Sequence, residues 1–342
     1  MIKELCVIGH PSRLGGADTE LDHQIRLWRE MGIDVYICHT GGFDDNLNKM
    51  KKSMLDIGCK YIDSRSWRDC AGFHTISFCN GEFLKNIEEI KKYAKSTTFV
   101  NCMTWNFPKE IEAQSRGLLD FHLYQTKHQY NRVSPRLIET GKPYRPLFFN
   151  PYFDTDPFPF VERKTSETFN FGRISRGDAD KYGGLQLWIY ETMTSPILKR
   201  GMILGWDQRA EKKLGKLPSY ILGLHEGQIT QQELYAFCDV IIMTTDTFEN
   251  LPRVGFEAMS SGSLLIVDKK GGWEVLVDDG KTGWLCADHR EFVYKASRSA
   301  FESTETQELR INARNKIDQQ WGKENSSKCW ENIFNSWELS NL

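Results

Sequence analysis

Short apolar runs alternate with longer stretches in which apolar residues recur every three or four positions, and the alternation runs along most of the chain. Leu5-Cys6-Val7-Ile8 reads as a buried strand that leads into a polar loop ending in Gly15 and Gly16. Leu21, Ile25, Trp28 and Met31 then share one helical face, and Gly32 ends that helix. Further strand signals fall at 35–38, 60–62, 75–79, 97–102 and 121–126, with helices over 44–57 and 83–93. A second series follows, with strands at 169–174, 201–206, 220–223, 240–243 and 264–267 and a helix at 232–238. Strands that alternate with helices predict parallel sheets covered on both faces, an α/β class with doubly wound domains. The segment 326–342 carries Trp330, Ile333, Phe334 and Trp337 on one face and reads as an amphipathic closing helix.

At 342 residues the chain is long enough for two domains, each with its own core. A net charge of −2 argues against a dedicated nucleic-acid binder. Nine cysteines, none spaced Cys-x-x-Cys and most beside apolar runs, predict reduced buried thiols rather than a disulfide framework or a zinc site. The opening residues read as a charged strand rather than a leader, and no apolar run reaches membrane-spanning length, so a cytoplasmic protein is expected.

The densest chemistry lies at Glu249-Asn250-Leu251-Pro252-Arg253-Val254-Gly255-Phe256-Glu257, between the apolar runs 240–243 and 264–267. The order is strand, polar loop, helix, strand, then Gly271-Gly272-Trp273-Glu274. This places the loop and the helix start at the carboxyl edge of a parallel sheet, where ligands bind and free N–H groups suit phosphate. With Pro252 opening the helix, Glu249 sits in the loop and Glu257 about one and a half turns in. By spacing alone the pair fits two readings: a ligand gripped at two points, or a helix N-terminus flanked by carboxylates.

Taken together, Glu-x7-Glu, Ala-Met-x-x-Gly, Gly-Gly-x-x-Glu and Asp279-Gly280-Lys281-Thr282-Gly283-Trp284-Leu285 resemble the donor half of GT-B glycosyltransferases, most closely family 4. The resemblance implies two Rossmann-like doubly wound domains facing each other across a cleft. It places an acceptor domain at 1–155, joined by the terminal helix at about 318–342, and a nucleotide-sugar donor domain at 156–317. It implies a retaining hexosyl- or pentosyltransferase that uses a nucleotide-sugar, UDP being the common base, with no metal and no other cofactor.

Residue by residue, the resemblance assigns Arg173, after Gly172, and Lys181 to the donor diphosphate, with Arg176 as a substitute for Lys181. Two cations there neutralise charge on the leaving nucleotide. Glu249 falls near the transferred sugar and Glu257 at the ribose, with Asn250, Leu251 and Pro252 supplying backbone groups. Gly227 and Ile229 fall at the base, although the same residues read equally as a loop before a helix capped by Thr230. Gly15 and Gly16 line the donor side of the first domain, or else make a tight strand-to-helix turn. The family histidine after the strand at 97–102 is missing here, and Thr104-Trp105-Asn106 stands in its place. Trp105, Asn106, Lys127 and Arg132 are the acceptor candidates, the last two in a basic run that also reads as a solvated helix face. The acceptor class stays open among glycans, lipid-linked sugars, small molecules and hydroxymethylated DNA bases. An epimerase or a non-catalytic nucleotide-sugar binder is the remaining alternative. Asp154-Thr155-Asp156, in a proline-rich linker, reads as turn chemistry rather than as a metal site.

Overall fold

The computed structural model describes residues 2–12, 15–42, 44–63, 65–163, 166–301 and 303–339. The chain divides into two compact units, Met1–Asp154 with Trp321–Leu342, and Thr155–Gln320. The expected end of the last helix at 340–342 lies outside the described residues, as do Arg13 and Leu14 of the first loop.

The first unit is built on strands β1 (Glu4–Ile8), β2 (Asp34–Cys38), β3 (Lys60–Ile62), β4 (His74–Phe78), β5 (Ser96–Val100), β6 (Phe121–Tyr124) and β7 (Pro146–Phe148). They form one sheet in the order β3-β2-β1-β4-β5-β6-β7, parallel at every pairing. β4, β5 and β6 are buried throughout, the condition of a sheet covered on both faces. β5 is nonetheless Ser-Thr-Thr-Phe-Val, and the Thr97 hydroxyl is satisfied by the Leu118 carbonyl at 2.7 Å.

The second unit holds β8 (Thr168–Ile174), β9 (Leu198–Leu204), β10 (Ile221–Leu224), β11 (Val240–Met243), β12 (Leu264–Asp268) and β13 (Trp284–Cys286). Their order is β10-β9-β8-β11-β12-β13, again all parallel. The chain winds outward from β8 in one direction and from β11 in the other, so the two strands flank a switch point at the carboxyl edge.

The terminal helix, Lys323–Leu339, returns to the first unit and buries Trp330, Ile333, Phe334 and Trp337 in that unit's core. Trp330 meets Trp28 edge-to-face at 4.9 Å and donates its indole N–H to Gln24 Oε1 at 2.7 Å. Trp330→Ala is therefore expected to cost about 3–5 kcal/mol, the usual range for an aromatic deleted from a packed core, plus the orphaned Gln24 amide. Chemical denaturation would read this as a lower midpoint for the first unit; a midpoint within error of the parent would remove the helix from the core.

None of the nine cysteines is in a disulfide, and Cys6, Cys38, Cys59, Cys70, Cys238 and Cys286 are buried as small apolar side chains. Among the described residues no helix is long and apolar enough to cross a membrane.

Candidate functional site

The loops after β8 and β11 leave the switch point of the second sheet, and they bring two residues of distant sequence together. Lys181 closes a short 3₁₀ turn, Ala179–Lys181, and Glu249 lies in the loop after β11. Lys181 Nζ donates to Glu249 Oε1 at 2.8 Å, and both side chains keep about a fifth of their surface open, 23% and 20%. This is a half-sheltered ion pair at the ligand-binding edge of an α/β sheet, more consequential than a surface pair screened by water. Arg176 is placed differently: its side chain is 66% exposed and pairs with Asp178 at 3.4 Å.

Arg173 is fully buried. One terminal nitrogen donates to Gln186 Oε1 and, at 3.2 Å, to the Thr244 carbonyl; the other donates to the Lys181 carbonyl and, at 3.3 Å, to Ser175 Oγ. Its guanidinium lies 3.9 Å from the centre of the Tyr182 ring, and burial pushes its pKa down from the usual arginine value. The arginine thus ties the Lys181 loop to the loop after β11 from beneath. Gln186 joins them too, accepting from the Thr244 N–H at 2.9 Å while giving its own amide to the Ile242 carbonyl at 3.2 Å.

The helix Arg253–Ser260 has Pro252 at its cap, and Asn250, Leu251 and Pro252 are buried. Among the described residues of this unit, Glu257 is the one buried carboxylate. Its Oε2 accepts the Tyr235 hydroxyl at 2.9 Å, and burial raises its pKa against the lowering effect of that bond. The Glu249 loop rests on the next motif. The Gly272 N–H donates to the Glu249 carbonyl at 2.8 Å, and a Cβ at Gly272 would stand 1.5 Å from the Asn250 carbonyl oxygen. Gly-Gly at 271–272 is there because backbone lies where a side chain would go.

Gly172, in mid-strand, is explained by packing alone: a Cβ would meet Cys238 Sγ at 2.4 Å. Gly227 has φ 85° in an exposed loop, and Ile229 is half-buried beside it. The helix that follows is closed by Thr230 and Glu233 in a reciprocal capping box. A hollow of about 350 Å³ opens at the ends of β8, β9 and β10, lined by Arg176, Gly177, Trp206, Asp207 and His225 among others.

In the first unit, Gly15 has φ 88° and caps the helix Gly16–Glu30, and a Cβ on either glycine would meet nothing within 4 Å. Trp105 is 52% exposed and packs against Phe107 with ring centres 4.6 Å apart and planes tilted by 52°. Asn106 lies next to it, 3.5 Å from Glu110 Oε2. Lys127 opens the helix Lys127–Ile138, capped by Thr126, and Arg132 on that helix donates Nε to the Thr104 carbonyl at 3.1 Å. The loop at 103–106 and this helix are therefore one local assembly.

Sequence reasoning missed Gln186, Tyr235 and Glu110. Gln186 lies on a seven-residue helix, too short to give a periodic signal, whereas Tyr235 lies on a helix the sequence did indicate but carried no mark there as a partner of Glu257. Among the described residues no group of three or more His, Cys, Asp or Glu side chains is arranged to hold a metal ion.

Residues 222–317 match the family model described as Glycosyl transferases group 1. No curated protein matches the chain by sequence. Among solved structures, Anabaena HepE in complex with UDP-glucose superposes with a TM-score of 0.65 at 14% identity, covering 97% of this chain and 99% of that one. S. aureus TarM, in complex with fondaparinux, α-GlcNAc-glycerol and UDP, gives 0.69 at 11% identity over 98% and 100%. Sucrose-phosphate synthase from Thermosynechococcus elongatus gives 0.70 at 10% over 99% and 100%. The architecture is the GT-B fold.

Proposed function

We propose that this GT-B glycosyltransferase moves a sugar from a UDP-sugar to an acceptor hydroxyl, with retention at the anomeric carbon and without a metal ion. The observation that carries the reading is the Lys181–Glu249 pair at 2.8 Å, inside a unit most of which matches the group 1 family. UDP-bound neighbours of the same fold favour uridine as the base.

In the reaction the bond from the anomeric carbon to the diphosphate oxygen breaks, and UDP leaves with the electron pair. The acceptor oxygen forms the new bond, and its proton passes to the leaving diphosphate. Lys181 offers a fixed cation to the charge that grows on that leaving group, which lowers the barrier without metal. Glu249 serves the transferred sugar, by opposing positive charge at the anomeric carbon or by holding its hydroxyls. Glu257 meets the ribose, and Asn250, Leu251 and Pro252 offer backbone groups. Arg173, enclosed as it is, braces this arrangement from within.

The test is thermal shift and sugar release with a panel of nucleotide-sugars, with and without a chelator. One UDP-sugar should stabilise the protein by about 2.7 kcal/mol at a hundred times its Kd. Proton NMR of the product should show the donor's anomeric configuration kept, and the chelator should change nothing. Glu257→Gln should lose most of the shift while melting near the parent. A panel with no stabilising nucleotide-sugar would end the reading; inverted product or chelator sensitivity would end its stereochemical or metal-free part.

A further inference from the structure

The fully buried Glu110 lies outside the donor site, on the helix Pro108–Ser115 of the first unit. Its Oε2 accepts from Asn101 Nδ2 at 2.9 Å and from the Phe107 N–H at 3.1 Å, with Asn106 Nδ2 at 3.5 Å. Asn101 extends the hold, giving the same amide to the Trp105 carbonyl at 3.0 Å and accepting the Met103 N–H at 2.7 Å. A glutamate three residues into a helix commonly caps it from the solvent side. This one is enclosed and reaches across the loop, which capping alone does not require.

The other oxygen, Oε1, has no partner and faces His122 Nδ1, also without one, at 4.0 Å. Gln114 gives its amide to the Pro143 carbonyl at 3.0 Å, so its Oε1 is the atom 2.8 Å from His122 Nε2. The histidine hydrogen therefore sits on Nε2 and leaves Nδ1 bare. At 4.0 Å the two bare acceptors make no hydrogen bond, and a proton on Glu110 Oε1 removes the opposition between a carboxylate and a lone pair that would otherwise face each other. The surroundings agree: burial holds His122 down to about 3 and therefore neutral, and lifts Glu110 to about 7. Tyr124 and Tyr144, the other ionisable groups near it, are hydrogen-bonded to each other at 2.7 Å and stay protonated, since burial raises both.

What this network holds in place is an indole open to solvent. Trp105 is 52% exposed while its own carbonyl and the Met103 and Phe107 N–H groups are held from inside by Asn101 and Glu110. An aromatic face bordered by polar side chains suits the C–H face and hydroxyl rim of a pyranose. We propose that Glu110 is the positioning residue of the acceptor loop, holding residues 101–107 so that Trp105 presents a platform to the ring of a sugar acceptor. This rests on the transferase reading given above.

Hydrogen exchange tests the loop, and probe acceptors test the platform. In Glu110→Ala the Met103 and Phe107 amides should exchange at least about tenfold faster. KM for methyl pyranosides should rise about tenfold or more, while donor hydrolysis by water stays within about twofold. Glu110→Gln keeps an accepting oxygen and turns an N–H toward His122, so it should restore both.

The folded-state value of Glu110 lies above the ordinary carboxylate range. Stability of the parent loop therefore falls as pH rises from about 4.5 to about 7 and levels above it, because the open state gives up its proton first. Glu110→Gln should lose that slope after correction for intrinsic exchange. Trp105→Ala should raise KM for methyl pyranosides by a factor several times larger than any rise it causes for glycerol. Unchanged exchange in Glu110→Ala, or Gln as damaging as Ala, would overturn the positioning role. Equal loss with glycerol and pyranosides would overturn the sugar platform. A protein that uses no nucleotide-sugar would fail the transferase reading, yet the exchange measurements would still decide what Glu110 does.

Discussion

Lys181→Met is expected to lower sugar transfer by about 10²–10³-fold, chiefly in kcat, with a melting temperature close to the parent's. The side chain is a partly open cation whose Nζ contact is Glu249, so its removal opens no core cavity. Glu249→Gln should lose a similar factor. The informative experiment is the pair of variants together. Groups that act as one unit are not additive, so the double variant should be little worse than the weaker single one. Two independent contributions would instead multiply, to roughly 10⁴–10⁶. A multiplied loss would show that the 2.8 Å contact does not couple them, and parental activity in either single variant would remove it from the chemistry.

Both partners were visible in the sequence, but their meeting was not. Glu249 stood out through its place between two apolar runs, and the alternation of strands and helices was enough to set both loops at one sheet edge. That Lys181 rather than Arg176 completes the pair depends on a 3₁₀ turn that no periodicity encodes.

Arg173 shows a different limit. Its position after Gly172 marked it for an anion; the structure shows its two terminal nitrogens bonded to Gln186, Ser175 and the Thr244 and Lys181 carbonyls, and its Nε without a partner. Charge in a sequence does not say whether a cation faces a ligand or its own backbone.

Helices were lost where the buried face is chemically mixed. In the helix Ser303–Trp321 the buried positions include Thr306, Leu309, Arg310, Ala313, Lys316 and Ile317, so a regular stripe carries irregular polarity. β7, short and starting at Pro146 on the sheet edge, gave no strand signal either. The closing helix was legible because Trp330, Ile333, Phe334 and Trp337 give it an apolar, mostly aromatic stripe.

Gly272→Ala is expected to disable the donor site as fully as a change to the ion pair, from a position that carries no chemistry. The added methyl would stand 1.5 Å from the Asn250 oxygen, 2.3 Å from its carbonyl carbon and 2.9 Å from the Leu251 nitrogen. Each of these is backbone, so no rotamer change relieves the overlap, and the segment at 249–251 must move by an ångström or more. That segment holds Glu249 against Lys181 and leads into the helix bearing Glu257. A displacement of that size costs about 10²-fold in a positioned reaction. It also breaks the bond from the Gly272 N–H to the Glu249 carbonyl, and a loss of about 2–4 kcal/mol of stability follows from overpacking and that bond together.

Gly184→Ala is the control, since a Cβ there meets nothing within 4 Å and its φ is not positive. It should keep parental melting and activity. Donor binding and transfer should fall together in Gly272→Ala, because the loop is moved rather than one contact deleted. Were Gly272→Ala to bind and turn over donor like the parent, the loop would not depend on this close approach, and the Gly-Gly motif would need another reason.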